Sequence, residues 1–135
     1  MKRNYILLES IIKSSKNLKD HLTTIFREFD LGMTEFGLLE AIHTLGPQPI
    51  QILAKRILIT SGSMTYTVNQ LINKGYIERK VFPLDNRVFF LHLTEKGKEH
   101  FEKILLKHDN FLNNFFSEFT EEEKALISRL LRKLF

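Results

Sequence analysis

From Thr60 to Asn73 no residue carries a charge, yet the segment is crowded with hydrogen-bonding side chains. Set an apolar stripe of Met64, Val68, Leu71 and Ile72 aside, at i, i+4, i+7 and i+8 of a helix, and the remainder faces outward. That outward set is Ser61, Gly62, Ser63, Thr65, Tyr66, Thr67, Asn69, Gln70, Asn73 and Lys74. An ordinary solvated helix face is studded with Lys and Glu. A neutral face of hydroxyls and amides can instead be buried against a partner that offers hydrogen-bonding edges, without stranding a charge there. Just beyond it stand Arg79 and Lys80, and then Asp85 and Arg87 two residues apart. The chemistry available to these residues is hydrogen bonding to base edges and ion pairing with phosphate.

Charge supports this reading. The formal net charge is +4, and all of it falls between residues 49 and 87, because the segments on either side balance. A basic excess confined to one small unit is the footprint expected of a duplex DNA binder. Lys55 and Arg56 are further candidate phosphate contacts. For Arg87 the plain alternative is a surface ion pair with Asp85 that contributes at most about 1 kcal/mol.

The elements that must position these groups are readable from periodicity. Residues 4–29 form a long amphipathic helix, with Ile11, Leu18, Leu22, Ile25, Phe26 and Phe29 on one side, broken at Leu31–Gly32. Thr34 caps a second helix running from Glu35 to about Thr44, and Gly46–Pro47 ends it. Pro49 opens a third, with Ile50, Leu53, Ala54 and Ile57 inward. A turn over Leu58–Thr60 leads into the uncharged helix, and Gly75 is its left-handed stop. Tyr76–Val81 and Val88–Leu93 read as strands, joined by residues 82–87 as an extended loop, or wing. Thr94 caps a long helix with Phe101, Ile104, Leu105, Leu112, Phe115 and Phe116 on its apolar side. Thr120-Glu121-Glu122-Glu123 is a capping box for the last helix, with Leu126, Ile127, Leu130, Leu131 and Leu134 inward. The first helix and the last two need something to cover their stripes, and a second copy is the simplest partner.

Taken together, "LGMTEFGLLEAI", "LAKRILITSGSMTYTVNQLINKGYIER", "DNR" and "LTEKG" resemble the MarR family of bacterial winged helix-turn-helix transcriptional regulators. The resemblance covers Leu31 to about Phe101. It implies a mainly α fold with a two-stranded β wing. The chain would be one unit over 1–135, with a DNA-binding lobe at 34–93 and a dimerisation region built from 1–30 and 94–135. It also implies a homodimer that binds double-stranded DNA at a pseudo-palindromic operator, most simply as a repressor, in the cytoplasm. The family's recognition helix maps onto residues 60–74, so Ser61, Ser63, Thr65, Tyr66, Gln70 and Lys74 are candidate DNA contacts, joined by Arg79, Asp85 and Arg87 of the wing. Two departures stand out. Asn86 replaces the arginine common at the middle wing position, and Pro49 replaces a side-chain cap before the third helix. Members of the family often take a small aromatic effector, for which Phe26, Phe36, His43, Phe101 and His108 are candidate lining; plain core packing is the better account of each.

Other classes fare worse. The chain has no Cys, no Gly-rich phosphate loop and no HExxH, and Ser61-Gly62-Ser63 lacks a nucleophile elbow, so neither an enzyme nor a cofactor is expected. His21, His43, His92, His100 and His108 are scattered, which makes a zinc-responsive regulator a weaker alternative. A winged-helix protein-interaction module is the other; it would bind no duplex at low salt. No apolar run reaches eighteen residues, so no membrane span is expected.

Overall fold

The computed structural model describes residues 1–57 and 64–135. It is mainly helical with one two-stranded antiparallel sheet, the expected architecture. The elements are α1 (Lys2–Glu28), α2 (Met33–Leu45), α3 (Ile50–Arg56), α4 (Met64–Asn73), β1 (Ile77–Phe82), β2 (Asp85–Leu93), α5 (Glu95–Phe115) and α6 (Glu121–Leu131), followed by a 3-10 turn at Arg132–Leu134. The described residues cluster into two compact units, Met1–Ile104 and Leu105–Phe135.

In the first unit, local chemistry sets most helix ends. Asp30 takes a left-handed φ of 56° after α1, and the Leu31 N–H returns to the Phe26 carbonyl at 3.0 Å. Gly75, at φ 81°, closes α4 in the same way: its N–H reaches Ile72 O (2.9 Å) and the Tyr76 N–H reaches Leu71 O (3.0 Å). Thr94 caps α5, accepting from the Gly97 N–H at 3.0 Å and donating to Gly75 O at 2.6 Å.

Three starting points differ from expectation. Helix α2 begins at Met33, not Glu35, because the Glu35 carboxylate accepts from the Gly32 N–H (3.2 Å) and makes Gly32 the cap; Thr34 is inside the helix and buried. Pro49 caps α3 instead of opening it, and Ile50 is its first helical residue. The wing has no long loop. Pro83–Leu84 is a two-residue turn, and the extra length lies in the ladder. Val81 pairs with Phe89 but Phe82 pairs with Asp85, so Asn86, Arg87 and Val88 are crowded opposite a single link of β1. Stacked Phe82 and Phe90 rings, with centroids 5.0 Å apart, brace the bulge.

The core of this unit centres on α2, which packs against α1, α3, α4 and β2. Leu38, Leu39, Leu53, Leu71, Ile77, Phe101 and Ile104 are fully buried. Phe26, Phe36 and Phe101 form a continuous stack with centroid separations of 4.2 and 5.6 Å. The connection before α3 is pinned to the sheet by an isolated bridge between Gln48 and Leu91, which the sequence does not announce. Gly97 lies so close to Tyr76, the residue before β1, that a Cβ there would sit 2.0 Å from the Tyr76 carbonyl oxygen.

In the second unit, the α6 capping box forms as expected, with Thr120 accepting from the Glu123 N–H (3.1 Å) and Glu123 from the Thr120 N–H (3.0 Å). Phe111, Phe115, Phe116 and Phe119 make a chain of ring contacts. Leu126, Ile127, Leu130, Leu131 and Leu134 are exposed. Among the described residues no helix is long and apolar enough to cross a membrane.

Candidate nucleic-acid interface

Helix α4 buries Val68 and Leu71 and half-buries Met64 and Ile72, which is the stripe read from sequence. Thr67 corrects that reading. It is 4% exposed and belongs to the inward arc, not to the outer face. The arc is wider than four apolar residues because α4 is held by α2 on one side and β1 on the other. Thr65, Tyr66, Asn69 and Asn73 are exposed, Tyr66 by 65%, and Gln70 is half-buried. Ser61 and Ser63 lie outside the described residues.

The wing presents one arginine in a fixed pose. The Asp85 carboxylate takes Arg87 Nε (3.1 Å), Arg87 Nη2 (3.2 Å) and the Arg87 backbone N–H (3.0 Å). This two-pronged clasp orders a guanidinium that is otherwise 90% exposed. Of the five guanidinium N–H groups, Nε and one on Nη2 are engaged; the rest project outward, available to an acceptor such as a phosphate or a base edge. The Arg87 side-chain hydrogen bonds, with its backbone N–H second, hold the Asp85 carboxyl below the usual carboxylate range.

Thr65 and Val68 of α4, Arg79 of β1 and Arg87 of the wing line one open cleft of about 260 Å³, together with Pro49, Ile50 and Gln51 at the start of α3. Three candidate contacts separated in sequence, Thr65, Arg79 and Arg87, thus share a surface. Arg79 also donates to Asn69 Oδ1 (3.3 Å), a contact from the strand to the outer face of α4.

Lys74 is not part of that surface. Its ammonium donates to Glu35 Oε2 (2.9 Å) and to the Asp30 carbonyl oxygen (2.6 Å), and only 22% of its side chain is exposed. Arg56 behaves alike, with Nη2 and Nε on the Glu40 carboxylate at 2.8 and 3.3 Å. Burial alone would raise the Glu40 carboxyl, but hydrogen bonds from Arg56 and Thr44 outweigh it and hold the group low.

A second cleft, of about 360 Å³, lies among the end of α2 (Ile42, His43), the end of β2 (His92, Leu93) and the start of α5 (Lys98, Glu102). Desolvation, and then Lys80, lower the His92 pKa, with Glu78 opposing. The other aromatics considered for an effector, Phe26, Phe36 and Phe101, are core residues. Among the described residues, no three His, Asp or Glu are disposed to hold a metal ion.

Comparison with known proteins agrees with this architecture. The MarR family profile matches residues 31–89. The HTH-type transcriptional regulator MhqR of Bacillus subtilis (strain 168) is 33% identical over 122 residues, covering 90% of this chain and 84% of that protein. A MarR mutant from E. coli complexed with operator DNA superposes with a TM-score of 0.80 at 25% identity, over 97% of this chain and 95% of that one. The organohalide-sensing regulator RdhR, in its 2,4-dichlorophenol-bound form, matches in fold with a TM-score of 0.84 at 21% identity, over 99% and 80%. The helix-turn-helix lobe with its clasped wing arginine, the family profile and the extent of the match to MhqR converge: this chain belongs to the MarR family of helix-turn-helix transcriptional regulators.

Proposed function

We propose that this protein binds a specific duplex DNA sequence as a homodimer and represses transcription by occupying a promoter. The observation that carries the DNA reading is the cleft in which Thr65, Arg79 and the clasped Arg87 converge. Thr65 and Tyr66, with Ser61 and Ser63, supply hydroxyls to base edges and phosphates in a major groove. Gln70, half-buried, lies one helical turn beyond Tyr66. Arg87 enters the flanking minor groove, where the potential is most negative, with Asp85 fixing its direction. The E. coli MarR structure complexed with operator DNA supports this use of the fold.

Dimerisation is supported by apolar surface that each unit leaves uncovered. On α1, Tyr5, Ile6, Leu7, Leu8 and Ile12 are each more than half exposed, and α6 leaves Leu126, Ile127, Leu130 and Leu131 open. Large apolar side chains left in water in this number mark association surfaces. In the dimer, two α4 helices enter successive major grooves about 34 Å apart. For an effector, we favour the cleft beside His43 and His92, whose volume lies within the range of about 300–1,000 Å³ typical of small-molecule sites. RdhR, the relative bound to 2,4-dichlorophenol, makes a small aromatic the class to try first.

The test is a duplex selected by the protein from a random pool, titrated at rising salt. Affinity is expected to fall steeply as ionic strength rises, and Arg87→Ala to weaken binding about tenfold or more. Failure to enrich any duplex at low salt would leave a protein-interaction module as the better account.

A further inference from the structure

The third and fourth helices each finish on a basic residue that turns back to α2 instead of outward. Lys74, just past α4, reaches Glu35 in the first turn of α2; Arg56, the last residue of α3, reaches Glu40 one and a half turns further along the same helix. Lys74 does more. Its ammonium also donates to the carbonyl of Asp30, the left-handed residue that ends α1. One side chain therefore joins the end of the reading helix to the corner between α1 and α2. Glu35 is fixed in turn by the Gly32 N–H on its other oxygen, and the Lys74 carbonyl accepts from Lys96 Nζ at 2.9 Å. The Lys74–Glu35 pair is largely withdrawn from solvent, at 22% and 18% side-chain exposure, so it is screened less than a surface bridge.

Resting on the DNA-binding reading above, we infer that Lys74 and Glu35 are positioning residues for DNA recognition: their ion pair sets the angle of α4, and Lys74 is not a phosphate contact. The Arg56–Glu40 pair does the same for α3 with a more exposed geometry. In this arrangement an acidic residue on α2, outside the cleft that gathers Thr65, Arg79 and Arg87, raises affinity for DNA. A surface-charge account predicts the opposite sign, since removing a carboxylate from a DNA binder should strengthen binding.

The experiment uses the full chain, with the duplex that the wild-type protein enriches from a random pool and a scrambled duplex of equal length as probes. Affinity for both is measured across a salt series for wild type, Glu35→Gln, Lys74→Gln and the double variant; circular dichroism melts confirm that each is folded at the assay temperature, and Lys74→Met, which also removes the charge, serves if Lys74→Gln is not. The expected result is that Glu35→Gln and Lys74→Gln each lower the ratio of enriched to scrambled affinity about tenfold. The double variant should lose no more than either single one, and the salt slope should stay at the wild-type value. A slope shallower by about 0.9 in Lys74→Gln alone, with Glu35→Gln binding as tightly as wild type or tighter, would mean that Lys74 touches phosphate and would overturn the inference. An unchanged ratio in both folded variants would overturn it too. Wild-type protein that enriches no duplex removes the DNA-binding reading itself, an outcome the variants are not needed to detect.

Discussion

A guanidinium gains recognition value when its direction is fixed before its partner arrives, because less rotamer freedom is lost on contact. The Asp85 clasp on Arg87 supplies that order at a position that is otherwise fully in water. Asp85→Asn keeps an acceptor but removes the charge, so duplex affinity is expected to fall about threefold to tenfold, and adding it to Arg87→Ala should cost nothing further in a binding titration. The pH dependence has a definite sign. The Asp85 carboxyl is held low in the folded chain by Arg87, so its contribution is complete above the ordinary carboxylate value of 3.8 and is lost only as acid carries the pH through the lower folded value. Around neutrality the clasp should not titrate. Single residues were also where sequence misled. The spacing of Asp85 and Arg87 suggests their pairing, and the folded wing contains it. Lys74 looked like an outer-face residue because its partners, Asp30 and Glu35, lie about forty positions upstream and no helical period points to them.

At the scale of elements, what is local was legible. The caps at Thr94 and Thr120 and the left-handed stop at Gly75 depend on neighbours within four residues or so, and they form where the sequence places them; the start of α2 is equally local, but there the Glu35 carboxylate selects Gly32 as the cap over Thr34. What depends on pairing between segments was not legible. The wing was expected to be a long loop, since residues 82–87 look too many for a hairpin; the bulge absorbs the surplus and leaves Pro83–Leu84 as the turn. Gly97 is a further case. Its place near the start of α5 is obvious, but its reason is the carbonyl of Tyr76, a contact that only the folded chain brings about. Gly97→Ala must push α5 away from Tyr76 or distort the Tyr76 peptide. It is expected to destabilise the chain by about 2 kcal/mol or more, a drop of roughly 5–10 °C in melting temperature by calorimetry, whereas the same change at Gly32, where the nearest atom is 3.6 Å away, should be tolerated.

For the whole molecule, apolar positions on α1 and α6 that neither compact unit covers are the strongest statement about assembly. In light scattering the protein is expected at twice the 15.9 kDa of one chain. Leu130→Asp, on the exposed stripe of α6, should shift it toward the single-chain mass and weaken duplex binding in parallel; a stable dimer in that variant would move the interface elsewhere. The interior of the first unit has a consequence of its own. Helix α2 is enclosed by α1, α3, α4 and β2, and it carries both carboxylates that hold the ends of α3 and α4. It works as an axle with no slack: a close-packed interior passes displacement on instead of absorbing it. Nudging either end of that axle should tilt α3 and the reading helix α4 together, so any signal that reaches α2 should be felt at the DNA surface as a step between two settings rather than as a gradual dimming.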